Sequence, residues 1–373
     1  MSFLEIINRH DPQQVLTEIE ARTAADVDRA LAGDRLGPRD LQALLSPAAE
    51  PFLEQMAQKA RAITRRRFGH TILLYAPLYI SNECTNGCVY CGFNAINKVP
   101  RRTLSLDEVE RDARALHQQG FRHVLLVTGE APDKVGIDDL AAVAERIRPL
   151  FSSISIEVFP METEGYRQMV AAGVDGLTVY QESYDRALYA ELHPFGRKRD
   201  YDFRLLTPER GGEAGLRRIG IGFLQGLGNF RAEAFFTGLH ALYLTRHFWR
   251  SQISISFPRM RPAAGSYPPP NPVSDRQLAQ LICAMRLLIH DAGLVLSTRE
   301  SAELRDNLLP LGITQISAGS CTAPGGYSDT DKSTEQFAID DDRTPVEVEQ
   351  MLRDKGYEPV WKDWDEAFLN KAG

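Results

Sequence analysis

A chain of 373 residues is long enough for one large barrel or two ordinary domains. With 43% apolar and 25% charged residues it is ordinarily globular, and a net charge of -7 argues against nonspecific binding to nucleic acid or anionic lipid. The first eleven residues are charged too early for a signal-peptide core, and no apolar run reaches the roughly 18 residues of a membrane span, so a cytoplasmic protein is expected.

Residues 1–70 read as helices broken at Gly37-Pro38 and Ser46-Pro47, an extension ahead of the main domain. The run Arg65-Arg66-Arg67 reads as a cationic helix end facing the negative pole of the helix dipole. From Thr71 the pattern changes to short apolar runs alternating with amphipathic stretches. The first strand, Thr71 to Ile80, leads directly into Cys84-Thr85-Asn86-Gly87-Cys88-Val89-Tyr90-Cys91, which holds three of the five cysteines.

Gaps of three and two residues bring three soft thiolates from one tight loop onto one metal centre, and Gly87 is expected to let that loop fold back. Structural zinc takes four ligands, but Cys283 and Cys321 are not spaced as a second pair and no histidine follows closely. Three ligands leave one coordination position open, which points to chemistry rather than scaffolding. A disulfide framework does not suit this size or compartment.

A capping box at Ser105 and Glu108 starts a helix that stops near Gly120. Strands are then predicted at His123 to Glu130, Ser153 to Pro160, Gly176 to Ser183, Arg217 to Gly226, Gln252 to Met260, Val295 to Glu300 and Thr314 to Ser320. Helical stretches separate them: Asp138 to Leu150, Thr163 to Ala172, from Asp185, Arg231 to His247, from the box at Ser274 and Gln277, and Ser301 to Leu309. Eight strand–helix units over roughly 250 residues predict a closed (β/α)8 TIM-type barrel at 71–320, within the α/β class. The alternative is an open doubly wound sheet, but Gly220-Ile221-Gly222 lies inside a strand and lacks the dinucleotide continuation. Residues 321–373 form a tail with the acidic run Asp340-Asp341-Asp342, a helix capped at Thr344 and Glu347, and a close at Val360-Trp361-Lys362-Asp363-Trp364-Asp365.

Barrel active sites are built from strand ends at the C-terminal face. Here those ends carry Glu130, Glu157, Gln181, Glu182, Gln225, Arg259, Arg299, Ser317 and Ser320. Glu157 is a carboxylate in an otherwise apolar strand, costly to bury unpaired. Arg299 can fork onto a carboxylate with two parallel hydrogen bonds, and Ser317 and Ser320 offer hydroxyls one strand away. Together these three describe a site for an amino acid's carboxylate. His240 and His247, seven apart on one helix, read as packed or surface histidines, and Cys283 as core.

The spacing of Cys84, Cys88 and Cys91, with Tyr90 before the last, resembles the cluster loop of the radical S-adenosylmethionine enzymes. That resemblance implies a [4Fe–4S] cluster on the three cysteines whose open iron chelates S-adenosylmethionine, with a 5'-deoxyadenosyl radical formed on reduction. It implies Tyr90 near the adenine, and Gly129 and Glu130 at the methionine amine, although Thr128 stands where that family has another glycine. Glu157 then suits a ribose hydroxyl or the methionine amine, and Arg204 the methionine carboxylate.

Val179-Tyr180-Gln181-Glu182-Ser183-Tyr184, Ser297-Thr298-Arg299-Glu300, Ile316-Ser317-Ala318-Gly319-Ser320 and Pro324-Gly325-Gly326-Tyr327 look like the aromatic amino acid lyase branch. With the tail Gly356 to Asp365, they are similar to its tyrosine lyases of thiamine thiazole biosynthesis. The resemblance implies cleavage of the Cα–Cβ bond of L-tyrosine to p-cresol and 2-iminoacetate. Arg299, Ser317 and Ser320 would position the substrate while Tyr180, Gln181 and Glu182 shape the pocket or move protons. Implied partners are thiazole synthase and a reduced flavodoxin or ferredoxin type donor. The rivals are a hydrogenase-maturation tyrosine lyase, a tryptophan lyase, and a noncatalytic metal-binding scaffold.

Overall fold

Eight parallel strands close into a barrel in the computed structural model, which describes residues 2–328 and 334–363. They are β1 (Thr71–Ser81), β2 (His123–Thr128), β3 (Ser153–Glu157), β4 (Gly176–Glu182), β5 (Arg218–Phe223), β6 (Gln252–Ser256), β7 (Gly293–Leu296) and β8 (Gln315–Ser317). Each pairs with the next, and β1 closes the ring by pairing with β8 at Leu73 to Tyr75 and with β2 from Ala76 onward.

Local chemistry sets the helix ends. The capping boxes at Ser105, Ser274 and Thr344 all form, starting Leu106–Gln118, Asp275–Leu288 and Pro345–Asp354. Gly173, at φ 100°, lets the chain leave the helix Thr163–Ala171 and turn into β4. Arg65, Arg66 and Arg67 occupy the last turn of Leu53–Phe68, as the dipole argument requires. The amino-terminal helices lie on one flank, with Leu53–Phe68 along Asp275–Leu288 and Pro38–Leu45 along Phe230–His247. Gly238 permits the second contact, because a Cβ there would come within 2.5 Å of Leu41.

A ninth strand, β9 (Glu358–Val360), was not expected from the sequence. It pairs parallel to β1 at Thr71 to Leu73, below the point where β2 begins, and so covers backbone that the barrel would leave open. Strands β6, β7 and β8 are also shorter than their apolar runs suggest. Beyond β7 the backbone bonds elsewhere: Thr298 N donates to Ser317 Oγ, and Thr298 O accepts from Asp340 N of the tail. Trp364 and Asp365 of the expected tail motif lie outside the described residues.

Side chains alternate along each strand, and the inward set mixes small polar residues with larger ones such as Tyr75, Tyr180 and Arg218. Ser153, Ser155, Thr178, Gly220, Ser254 and Ser256 line a cavity in the barrel interior. Such interiors are usually filled by branched apolar residues. The apolar core lies instead between the strands' outer faces and the helices, where Ile154, Ile156, Leu177, Ile219 and Ile221 are buried.

Candidate active site

The cysteine loop is strapped to the barrel mouth by its neighbours. Arg101 donates from Nη1 to the carbonyls of Asn82 (2.6 Å) and Phe93 (2.8 Å), and from Nη2 to that of Asn94 (2.7 Å), tying both ends of the loop together. Asn86 donates to Glu130 Oε2 at 2.7 Å and accepts from Lys198 N at 2.9 Å. Gly87 is not in the left-handed region, so folding back is not its role. A Cβ there would lie 2.4 Å from the Phe195 ring, so close approach of that ring demands the glycine. Gly129 works similarly: a Cβ would stand 2.2 Å from Glu83 O and 3.1 Å from Cys84 Cβ, so the end of β2 can press against the cysteine loop.

Cys88 is buried, while Cys84 and Cys91 are half-buried against Tyr79, Phe93, Leu125 and Val127. Burial, reinforced by the neighbouring sulfurs, pushes the Cys88 thiol up to about 12 and raises Cys91 as well. Thiols gathered in apolar surroundings resist ionising without a cation, and they ionise outright on binding one. Among the described residues no three histidines, cysteines or acidic groups converge on a single ion. A four-iron cluster makes no such demand, since each of its thiolates binds a different iron. The three sulfurs in their apolar cradle, with the Gly129 backbone close beside Cys84, fit that group.

Beside the loop lies a buried charge cluster. Glu182 ends β4 at φ 69°, a conformation uncommon for a residue with a side chain, and the pairing of β4 with β5 bulges there. Lys198 Nζ donates to Glu182 Oε1 at 2.6 Å and sits 5.6 Å from the centre of the Tyr90 ring. Arg204 Nη2 is 3.6 Å from Glu182, and Arg204 Nε donates to Tyr180 O at 2.8 Å. Burial pushes the Glu182 carboxyl up, but Lys198 and Arg204 together hold it below the usual range. Tyr90 is fixed by its hydroxyl, which donates to His193 Nε2 at 2.8 Å, because His193 Nδ1 serves the Tyr189 carbonyl.

Tyr90, Cys91, Glu157, Tyr180, Glu182, Lys198 and Arg299 line one cavity. A second, adjoining cavity is lined by Tyr75, Tyr79, Glu157, Tyr180, Arg299, Ser317 and Ser320. Cys91 and the predicted carboxylate site therefore border adjoining cavities, which share Glu157, Tyr180 and Arg299 in their lining. Arg299 lies flat on Phe337, 3.4 Å from its ring centre, and Nη1 reaches the Arg259 carbonyl at 3.3 Å. Ser320 Oγ is buried with no protein partner among the described residues, which leaves it free for a ligand.

Not every expected residue reaches this space. Gln181, buried beside the bulge at the end of β4, lines neither cavity, and nor do Glu130 and Arg204. Arg259 is held by Glu300 and by Asp275 at 2.7 Å, a structural pairing that also removes Glu300 as a partner for Arg299. His240 is packed, stacked on Phe3 at 3.9 Å, and Cys283 is core.

The sequence reading missed Lys198, Gln336 and Phe337. Lys198 sits in Arg197-Lys198-Arg199, which looks like a solvated charge run. Gln336 accepts from the Tyr79 hydroxyl at 2.7 Å and, with Phe337, brings the tail over the mouth. Nothing local marks them out, but the Gly92 backbone is a late clue: a Cβ there would meet Gln336 O at 2.5 Å.

Comparison with known proteins agrees with this arrangement. Residues 78–233 match the model of the Radical SAM superfamily, and residues 256–358 that of the Biotin and Thiamin Synthesis associated domain. The chain is 46% identical to 2-iminoacetate synthase of Escherichia coli (strain K12), over 97% of this chain and 96% of that one. It is 47% identical to the 2-iminoacetate synthase of Salmonella typhimurium (strain LT2), over 95% and 94%. Among solved structures, HydG, a maturase of the [FeFe]-hydrogenase, superposes with a TM-score of 0.89 at 31% identity, covering 96% of this chain and 82% of that one.

Proposed function

Because the chain belongs to the 2-iminoacetate synthase family of radical SAM enzymes, we propose that it splits the Cα–Cβ bond of L-tyrosine, releasing 2-iminoacetate and p-cresol. The observation that carries this reading is the shared cavity, which both Cys91 and Arg299 line. Sequence similarity favours it over the hydrogenase-maturation activity, at 46% identity against 31%.

In this reading Cys84, Cys88 and Cys91 hold the [4Fe–4S] cluster and leave one iron for S-adenosylmethionine. When bound, the pair supplies a one-electron reduction and the hydrogen-abstracting radical that follows from it. The residues of this chain bind and orient. Tyr90 flanks the adenine, Gly129 and Glu130 receive the methionine amine, and Arg204 takes the methionine carboxylate. Arg299 forks onto the tyrosine carboxylate, with Ser317 and Ser320 beside it. Phe337 and Gln336 close the mouth and keep water out, which a reactive carbon radical requires.

The enzyme acts in the cytoplasm, draws electrons from a reduced flavodoxin or ferredoxin type donor, and hands its imine to thiazole synthase. An imine hydrolyses in water, so transfer within a complex protects it. The test is product analysis after anaerobic reconstitution with reductant and S-adenosylmethionine. Tyrosine should give p-cresol and 2-iminoacetate. Skatole or other indole products from tryptophan alone, or cyanide and carbon monoxide from tyrosine, would overturn the assignment.

A further inference from the structure

The two cavities of the mouth meet at a waist, where two charged side chains line both: Glu157 and Arg299. Tyr180, Pro258 and Phe337 complete the waist, with the serines on one side and Cys91 on the other. Arg299 is fixed by the Phe337 ring and the Arg259 carbonyl. A guanidinium and a carboxylate across one cavity match the two ends of an amino-acid zwitterion. With the carboxylate on Arg299, the amine lies at Glu157, within the waist that opens onto the Cys91 cavity.

Resting on the tyrosine lyase reading, the geometry points to Glu157 as the group that binds the substrate's ammonium and takes one proton from it. The step is a plain proton transfer: the N–H bond breaks, its electron pair stays on nitrogen, and a carboxyl O–H forms. No electron is gained or lost. The amine is left neutral, and its remaining N–H bonds yield a hydrogen atom more readily than those of an ammonium. This moves Glu157 from the cosubstrate role expected from sequence to the substrate.

The surroundings suit such an exchange. Burial, with Glu182 of β4 adding to it, raises the Glu157 carboxyl to about 7 against the pull of Arg299, Arg204 and Lys198. Tyr75 and Tyr79 of β1 and Tyr180 of β4 also face it, and burial together with the Glu157 charge raises their own hydroxyls. A carboxyl poised near neutrality can hold an ammonium and accept its proton.

The experiment is calorimetry of tyrosine binding at pH 7 to the reconstituted, S-adenosylmethionine-loaded protein, in buffers of different ionisation enthalpy. A partly protonated Glu157 that must ionise to meet an ammonium releases a fraction of a proton to the buffer per tyrosine, and the same net release holds after internal transfer. Wild type should show that release, Glu157→Asp should keep part of it, and Glu157→Gln should show none. In Glu157→Gln, 5'-deoxyadenosine formation with tyrosine should fall roughly 100-fold at pH 7 and recover as pH rises and solvent deprotonates the amine. Cosubstrate affinity, read from the spectrum of the reduced cluster, should stay unchanged. Equal proton release in Glu157→Gln, or lost cosubstrate affinity with tyrosine binding intact, would overturn the assignment. A wild type that releases the proton yet forms no p-cresol would sink the lyase reading and leave the ammonium site standing.

Discussion

Replacing Arg299 by alanine separates substrate recognition from folding, because its guanidinium does little for the fold. Among the described residues its hydrogen bonding is limited to one contact, 3.3 Å to a carbonyl, and its packing is the stacking on Phe337. Losing that stacking costs about 0.5 to 2 kcal/mol, a shift of a few degrees in the unfolding midpoint for a chain of this size. The binding loss is larger. Two charge-assisted hydrogen bonds to a carboxylate at about 1.5 to 3 kcal/mol each, partly replaced by Ser317 and Ser320, leave about 3 to 4 kcal/mol. That corresponds to a rise of roughly 200- to 1,000-fold in KM for tyrosine. Arg299→Lys keeps the charge and loses the fork, so it should fall between. The assay is anaerobic steady-state formation of p-cresol, with cosubstrate affinity measured in parallel. An unchanged KM in Arg299→Ala, or a fall in cosubstrate affinity that matches the rise in KM, would refute the carboxylate assignment.

Lys198→Met leaves Glu182 buried with Arg204 at 3.6 Å as its remaining counter-ion, at a cost of up to about 3 kcal/mol, so thermal unfolding should shift below that of wild type; an unchanged midpoint contradicts the ion pair. Gly129→Ala forces a methyl against Glu83 O, 2.2 Å from its Cβ, and should lower iron and sulfide content after reconstitution while circular dichroism stays native. Glu233 is buried behind β4, where it accepts from Ser183 Oγ at 2.5 Å and Tyr184 N at 2.7 Å, and burial raises its carboxyl to about 7. The folded state then holds a proton the unfolded chain has lost, so this contribution is full below the ordinary glutamate range and disappears as pH rises toward 7. Glu233→Gln should flatten the loss of thermal stability between about pH 5 and pH 8; a slope equal to wild type would refute the buried, raised carboxyl.

The barrel was legible because its signals are local. The first strand's apolar run, the boxes at Ser105 and Ser274 and the glycine after Ala172 each fix one boundary without reference to the rest of the chain. The cysteine loop was legible for the same reason, since its spacing is its chemistry. What escaped depends on contacts between distant segments. Strand β9 is three residues long and forms only because the start of β1 lacks a neighbour. Lys198 gains its meaning from Glu182 and Tyr90, and Phe337 from Arg299.

The central claim is that the cluster loop and the Arg299 pocket share one space, and in the proposed lyase reaction the hydrogen would then come from the substrate's amine. Running the reaction in deuterated water with tyrosine and with its O-methyl ether, and weighing the 5'-deoxyadenosine from each, tests this directly, because amine and phenol hydrogens exchange with solvent, carbon-bound ones do not, and the ether carries no phenol hydrogen. The account predicts deuterium gained from the solvent with both substrates and none from tyrosine deuterated at Cα and Cβ. Deuterium arriving from those carbons instead would contradict it.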